Sequence, residues 1–502
     1  MMKYIKITAF ALLMVLCNSC TKDFDKLNTS PVLVSSDIIQ PSMLFTAVLK
    51  NSIFSTYENS IFKEYSNYFT NEASGTIFQD RDWSTPFSNY QGTLINISEV
   101  IRLTKDKPEL ANENAEARIW KVWLFHQLTD AYGDLPYTEA LLSVDDVINQ
   151  PKYDTQKDIY TDLLNELKTA AAALSSEPSL SSFGDADLLF AGDIDKWRRF
   201  ANSLRLRLAI RVRYADEDLA KQHITDVIAA PLIDDNSFNA KLTTIDGTDP
   251  NNRNPLYNDY VNSSGYPVWV GFTVTQELLK RDDPRLPIFA DLPNVASLGY
   301  RGRPMTLLGA EKPRYSFDST AKLPMSFQEA VHDIIVMNAA EVYFLRAEAA
   351  LTDLSTEDAQ QMYHNGISAS LEQYDVDATA SSNYLSSSAG SIATGTDEEK
   401  LENIIVQKYL AMYQEGIEAW AEFRRTGYPK IWTGSDLGST NGNIPRRVTY
   451  PQSEYSLNNS NVGAAAGRLS GGDKMMSHVW WDAKPGLPLL HPKQGTFPPE
   501  VY

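Results

Sequence analysis

Cysteine is almost missing from this chain of 502 residues: Cys17 and Cys20 are its two, and both fall in the first twenty positions. A disulfide framework and a thiolate zinc site are thereby excluded from the body of the protein. The six histidines (His126, His223, His332, His364, His478 and His491) include no pair at helical ligand spacing, and HExxH does not occur. No transition-metal site is expected from them. Positive charge is also short, with 45 Lys plus Arg against 64 Asp plus Glu and a net charge of −19. A chain of that sign repels phosphate backbones, so nucleic acid is not an expected partner. G-x-S-x-G, the P-loop and G-x-G-x-x-G are absent, and the one S-x-x-K match, Ser319-Thr320-Ala321-Lys322, has no KTG partner. The pattern gives no footing for an enzyme. Carboxylate pairs such as Asp145/Asp146 and Asp234/Asp235 are what any acidic chain contains.

Apolar material is plentiful: 43% of residues are hydrophobic and 11% aromatic, which rules out a largely disordered chain. Lys3 and Lys6 precede an apolar run from Ile7 to Leu16. That run is too short to span a bilayer and has the layout of a secretory signal. Ser19-Cys20 then places a small residue before a cysteine, as in bacterial lipoprotein signals, so Cys20 is the expected lipidation site. We expect a signal peptide over residues 1–19, a tether over 20–40 and a single domain over 41–502. Acyl chains at Cys20 would anchor the protein stably, at roughly 0.8 kcal/mol per buried methylene. No later stretch is apolar and long enough to cross a membrane.

Helical periodicity dominates the rest. Apolar residues three or four apart predict helices over Met43–Phe69, Ala115–Ala131, Asp158–Leu174 and Asp195–Tyr214. Later ones are expected over Ile334–Leu351, Thr356–Tyr374 and Glu398–Arg425, the last ended by Gly427 and Pro429. Small residues at Ala340, Ala347, Ala349 and Ala350 permit close helix packing. Residues 71–90, 233–270, 281–325 and those after Tyr428 are instead rich in Gly, Pro, Asn, Ser and aromatics, with no sustained period. Loops that long inside a compact protein usually carry function. The six arginines from Arg198 to Arg213 surround one helix in an acidic chain, so ion pairing with neighbouring helices is expected of them.

Several segments together resemble the SusD/RagB family of nutrient-binding outer-membrane lipoproteins. They run from Cys20 and Asp23-Phe24-Asp25 through Tyr132-Gly133-Asp134-Leu135-Pro136-Tyr137 and Trp197–Ala209. Asp283-Pro284-Arg285-Leu286, Glu341–Ala349, Gln407-Lys408-Tyr409 and Glu418-Ala419-Trp420 follow. Arg424–Pro429, Pro445-Arg446-Arg447 and Trp480-Trp481-Asp482 complete an ordered set across nearly the whole chain. The resemblance implies a mostly α fold: a tetratricopeptide-like superhelix of helix pairs with a large irregular loop lobe. It also implies an outer-membrane, cell-surface location, a non-enzymatic role, and a SusC-like TonB-dependent transporter as partner. The ligand it implies is an oligosaccharide, with a peptide as the alternative; a surface glycoside hydrolase is the reading from another class.

The motifs themselves look structural, so the ligand contacts are sought among loop aromatics. A sugar presents an apolar face to a flat ring and a hydroxyl rim to polar side chains. Arg81, Asp82 and Trp83 combine both in one segment, Tyr266 and Trp269 lie in a second, and Tyr300 and Arg301 in a third. Asp246, Asp249, Asn251 and Asn252 form an oxygen-rich loop that suggests Ca²⁺, but without EF-hand spacing a solvated turn is the expected reading. No cofactor is expected.

Overall fold

The computed structural model describes residues 40–70, 86–142, 146–262, 268–436, 438 and 440–492. Helices form the scaffold. The first group comprises α1 (Pro41–Glu58), α2 (Ser60–Tyr65), α3 (Thr93–Thr104), α4 (Ala111–Tyr132), α5 (Gln156–Ala173), α6 (Ile194–Val212) and α7 (Glu217–Val227). Their starts are encoded locally: Thr155, Asp193 and Asp216 each accept backbone N–H groups of the first turn, satisfying donors that a helix leaves unpaired. α1, α3, α4, α5, α6 and α7 pack each against the next, the side-by-side stacking of a helix-pair superhelix.

α8 (Pro255–Asn262), α9 (Phe272–Lys280) and α10 (Leu286–Phe289) punctuate the irregular lobe. The scaffold resumes with α11 (Ala339–Leu351), α12 (Ala359–Gln373), α13 (Ala378–Leu385), α14 (Asp397–Ala411) and α15 (Gly416–Thr426). α11 joins the two halves, packing against α6 on one side and α12 and α14 on the other. Two further helices, α16 (Gln452–Leu457) and α17 (Asn459–Arg468), lie in the segment expected to be irregular. Strands are few: β1 (Phe69–Thr70), β2 (Leu135–Pro136), β3 (Tyr153–Asp154), β4 (Ala240–Thr243), β5 (Trp269–Val270) and β6 (Asp333–Met337). They pair antiparallel as β1–β5, β2–β3 and β4–β6. Among the described residues no helix is long and apolar enough to cross a membrane.

Three expected helices are broken, each for a local reason. The helix expected over Met43–Phe69 stops at Glu58, because Asn59 leaves the helical region and its side chain caps α2. Ile334 to Met337 forms strand β6, as its run of β-branched residues favours. Asn338 then starts α11 by accepting the Glu341 N–H at 2.8 Å. The helix expected over Glu398–Arg425 divides at 412–415, where Gln414 takes φ +84°. Gly416 restarts it against α2: a Cβ there would lie 2.6 Å from the Lys63 backbone N, so only glycine admits that approach.

Arg207, Arg211 and Arg213 make the expected pairs with neighbouring helices, the first two in full burial, while Arg198 and Arg199 pair with Asp195 of their own helix at part-exposed positions. Arg207 pairs with Glu341 of α11, Arg211 with Glu418 of α15, and Arg213 with Glu348 of α11 at 2.5 Å. Arg425 of α15 grips Glu348 and Glu422, and Lys408 of α14 lies 3.5–3.6 Å from Glu341, Glu418 and Glu422. Burial alone would push the Glu418 carboxyl up. Arg211, Arg207 and Lys408 outweigh it and hold that carboxyl at about 2. Shared motifs also serve as joints: Arg285 forks onto Asp283 and reaches Ser370 of α12 and Gln407 of α14 at 2.7 Å each. Trp481 is buried in the core, with its Nε1 donating to Asp130 at 2.7 Å.

Candidate functional site

A small ladder organises the irregular lobe. Thr70 of β1 is paired with Trp269 of β5, and Gly271 N–H donates to Tyr68 O at 2.8 Å. On its other side β5 takes up two more segments. Val270 N–H donates to Ala321 O at 3.1 Å, Leu323 N–H to Val268 O at 2.9 Å, and Arg303 N–H to Val270 O at 2.9 Å. Ala321 N–H in turn donates to Arg301 O at 2.8 Å. Gly271 makes the crossing possible, since a Cβ there would stand 1.8 Å from Asn67 O.

This ladder brings together Trp269, Tyr300 and Arg301, which the sequence places in separate loops. Trp269 is 6% exposed, and the Arg303 guanidinium sits 4.9 Å from its ring centroid. Tyr300 is half-buried against the main core. Arg301 is half-exposed, donates to Arg314 O at 3.2 Å and lies 5.7 Å from the Tyr315 ring centroid. Arg81, Asp82, Trp83, Tyr266 and Cys20 lie outside the described residues. Their flanks are described, however: segment 71–85 leaves from Thr70 and segment 263–267 leads to Val268, so both join the ladder at Trp269.

Sequence reasoning missed an exposed aromatic among the described residues of this lobe. Phe317 is 40% exposed, with the Lys322 ammonium 3.8 Å from its ring centroid. Lys322 donates to Asn294 Oδ1 at 2.7 Å, and Asn294 donates to Asp318. Lys322 is the bridge partner of both Trp269 and Asp291. A flat ring beside an ammonium, an amide and a carboxylate has the two elements that a sugar needs, and it stands on the same ladder. One signal for it existed: Phe317 lies in a Pro- and Ser-containing stretch with no period to bury it. Ser319 and Lys322, the S-x-x-K match, are engaged elsewhere, Ser319 donating to Arg314 O at 2.8 Å.

Among the described residues one cluster brings metal-ligating atoms together, and the oxygen-rich loop was expected to be a turn. His126, Asp130 and Glu418 present theirs within 4.8 Å of one another. Arg211 already holds Glu418 and lies 3.9 Å from Asp130, while Asp130 Oδ1 accepts from Tyr160 and Trp481. A fixed guanidinium thus supplies the charge a metal ion would bring. Burial and Arg207 lower the His126 pKa to about 3, so its ring is neutral. In the oxygen-rich loop Asp246 pairs with Arg253 at 2.8 Å, Asp249 accepts the Asn251 N–H at 2.9 Å, and Asn252 Oδ1 accepts from Lys50 at 3.0 Å. Those oxygens are engaged within the protein.

The molecule is thus a helical scaffold carrying a loop-built surface of aromatic and polar side chains. The sequence profile described as "Starch-binding associating with outer membrane" matches residues 33–451. The chain therefore belongs to the SusD-like family. Solved structures agree. A chitin-binding protein superposes with a TM-score of 0.77 at 25% identity, covering 89% of this chain and 100% of its own. A chitin-binding SusD homologue from Flavobacterium johnsoniae gives 0.74 at 26%, with 88% and 98% covered. A SusD homologue from Bacteroides uniformis gives 0.74 at 25%, with 89% and 100% covered. No curated protein matches the chain by sequence.

Proposed function

We propose that this protein captures an oligosaccharide at the cell surface and hands it to a SusC-like TonB-dependent transporter, held to the outer membrane by lipid on Cys20. The observation that carries the reading is the convergence at the β1–β5 ladder. The described segments around Trp269, Arg301–Arg303 and Ala321–Leu323 meet there, and Phe317, Lys322, Asn294 and Asp318 form a ring-and-rim surface beside them. Stacking on a ring and hydrogen bonds to a rim hold a sugar without chemistry. The chitin-binding proteins of the same fold support the ligand class. In this reading Arg81, Asp82, Trp83 and Tyr266 complete the surface, and Trp269 supports it from below.

The test uses the full chain in detergent, incubated with a mixed pool of oligosaccharides and peptides, with the retained molecules identified by mass spectrometry. Intact glycans are expected. Retained peptides would transfer the protein to oligopeptide capture, and cleaved glycans would make it a hydrolase. With the retained glycan in hand, Trp83→Ala is expected to weaken binding about tenfold, or about 1.4 kcal/mol, with an unchanged unfolding midpoint.

A further inference from the structure

Beside the β4–β6 sheet lies a second concave feature, whose Tyr413 packs edge-on against Tyr68 and Phe69 at the inner end of the ladder. It is a cleft of about 370 Å³, lined among others by Tyr57, Phe327, His332, Tyr374, Tyr413 and Gln414. The volume is in the range of small-ligand pockets. We propose that this cleft is a second binding site, taking a neutral sugar of one or two rings, independent of the surface on the irregular lobe.

Gln414 is the first ground. It is 4% exposed and adopts φ +84° at the break between α14 and α15, a conformation a side chain rarely accepts. Its Oε1 accepts from Tyr57 Oη, which fixes the amide, and its buried Nε2 has no hydrogen-bond partner. An unmet donor in a buried, strained residue is costly in a folded protein. Glu415 is the second ground: its Oε2 lies 3.7 Å from Arg207, while its buried Oε1 has no partner. Burial and then Glu341 push the Glu415 carboxyl well up. An unspent amide donor and an unpartnered carboxyl oxygen therefore stand next to aromatic faces.

Other polar side chains of the lining engage each other or neighbouring residues. Lys241 pairs with Asp333 at 2.6 Å, and Asn239 donates to Asn236 and Gln373 at 3.2 Å each. Burial lowers the His332 pKa, leaving its ring neutral. The lining thus offers an amide donor and rings with no unpaired cation to draw an anion, and Asp375 at the rim would repel one. A hydroxyl or ring oxygen over an apolar face fits this chemistry. Gln414 and Glu415 also wall off an inner chamber of about 40 Å³, too small for a ring, so the ligand belongs on the outer side.

The test is calorimetric titration of the full chain in detergent with N-acetylglucosamine and with maltose. Two variants probe the cleft. Gln414→Asn keeps a residue tolerant of positive φ but draws the amide back, and Ser326→Trp fills the cleft from an exposed position, so it spares the fold even if the first variant does not. Each is expected to weaken binding at least tenfold while the unfolding midpoint of Ser326→Trp stays that of the wild type. Absence of binding to both sugars in the wild-type chain would overturn the proposal, as would unchanged affinity in the two variants. Loss of short-sugar binding in Trp83→Ala instead would place that site on the lobe and also overturn it, without touching the oligosaccharide reading.

Discussion

The buried interface among α6, α11, α14 and α15 and the ladder of the irregular lobe both collect charged and aromatic side chains, yet they use them in opposite ways. In the first, Arg207, Arg211, Arg213 and Arg425 face carboxylates a few ångströms away, Arg424 donates to the Asp130 and Arg446 carbonyls, and Arg211, Arg425 and Glu348 have essentially no exposure. In the second, Phe317, Asn294 and Asp318 stand at the surface and spend only part of their hydrogen-bonding capacity on each other. Charge sealed from water is committed to holding helices together, because its desolvation is offset only by its partners. Charge left at a surface keeps its capacity for a ligand.

Glu348→Ala should break this contrast most severely. It leaves Arg213 and part of the Arg425 fork without their acceptor, and is expected to cost about 3–5 kcal/mol in denaturant unfolding. Lys63 of α2 sharpens the contrast through pH. Its ammonium is 3% exposed, lies 3.9 Å from the Tyr57 ring centroid and has no hydrogen-bond partner. Burial lowers its pKa from 10.5 to about 7. Between about pH 7 and 10.5 the unfolded chain then binds the proton that the folded chain has released, so stability rises with pH by up to about 1.4 kcal/mol per unit. Below pH 7 both states are protonated and the burial penalty is fully present. Lys63→Met should therefore stabilise the protein most at and below pH 7, with the difference from wild type shrinking as pH rises. A constant difference from pH 6 to 10 would contradict the assignment. Phe317→Ala should do least to the fold: no shift in the unfolding midpoint, with oligosaccharide affinity down about tenfold.

The scaffold was legible because its determinants are local. The stripe through Trp197, Phe200, Leu204 and Leu208, the cap at Asp193 and the arginines of α6 announce a buried helix that needs acidic neighbours. What failed to show was set by distant contacts. Nothing near Gln414 signals a left-handed residue; the break follows from the approach of Gly416 to α2, far earlier in the chain. The strand β6 has a helix-compatible apolar run, and its pairing with β4 decides the matter. The candidate site was legible as a set of loops but not as a surface. Trp269 was expected as a contact from its composition and neighbours, while its 6% exposure depends on Arg303 lying across it. Phe317 was overlooked because a lone aromatic carries no pattern; its worth comes from Lys322 and Asn294, which the ladder delivers.

The two-residue pairing of Thr70 with Trp269 has an evolutionary consequence. It stitches one end each of segments 71–85 and 263–267 to one short seam, below which Gly271, Tyr68 and Asn67 are fixed by the core. Insertions, deletions or swaps above the seam can alter what is recognised while the helices beneath inherit unchanged stability. Descendants of such a chain are free to explore new diets by editing loops, and a grafting experiment could begin and end its exchanged pieces at those same stitches.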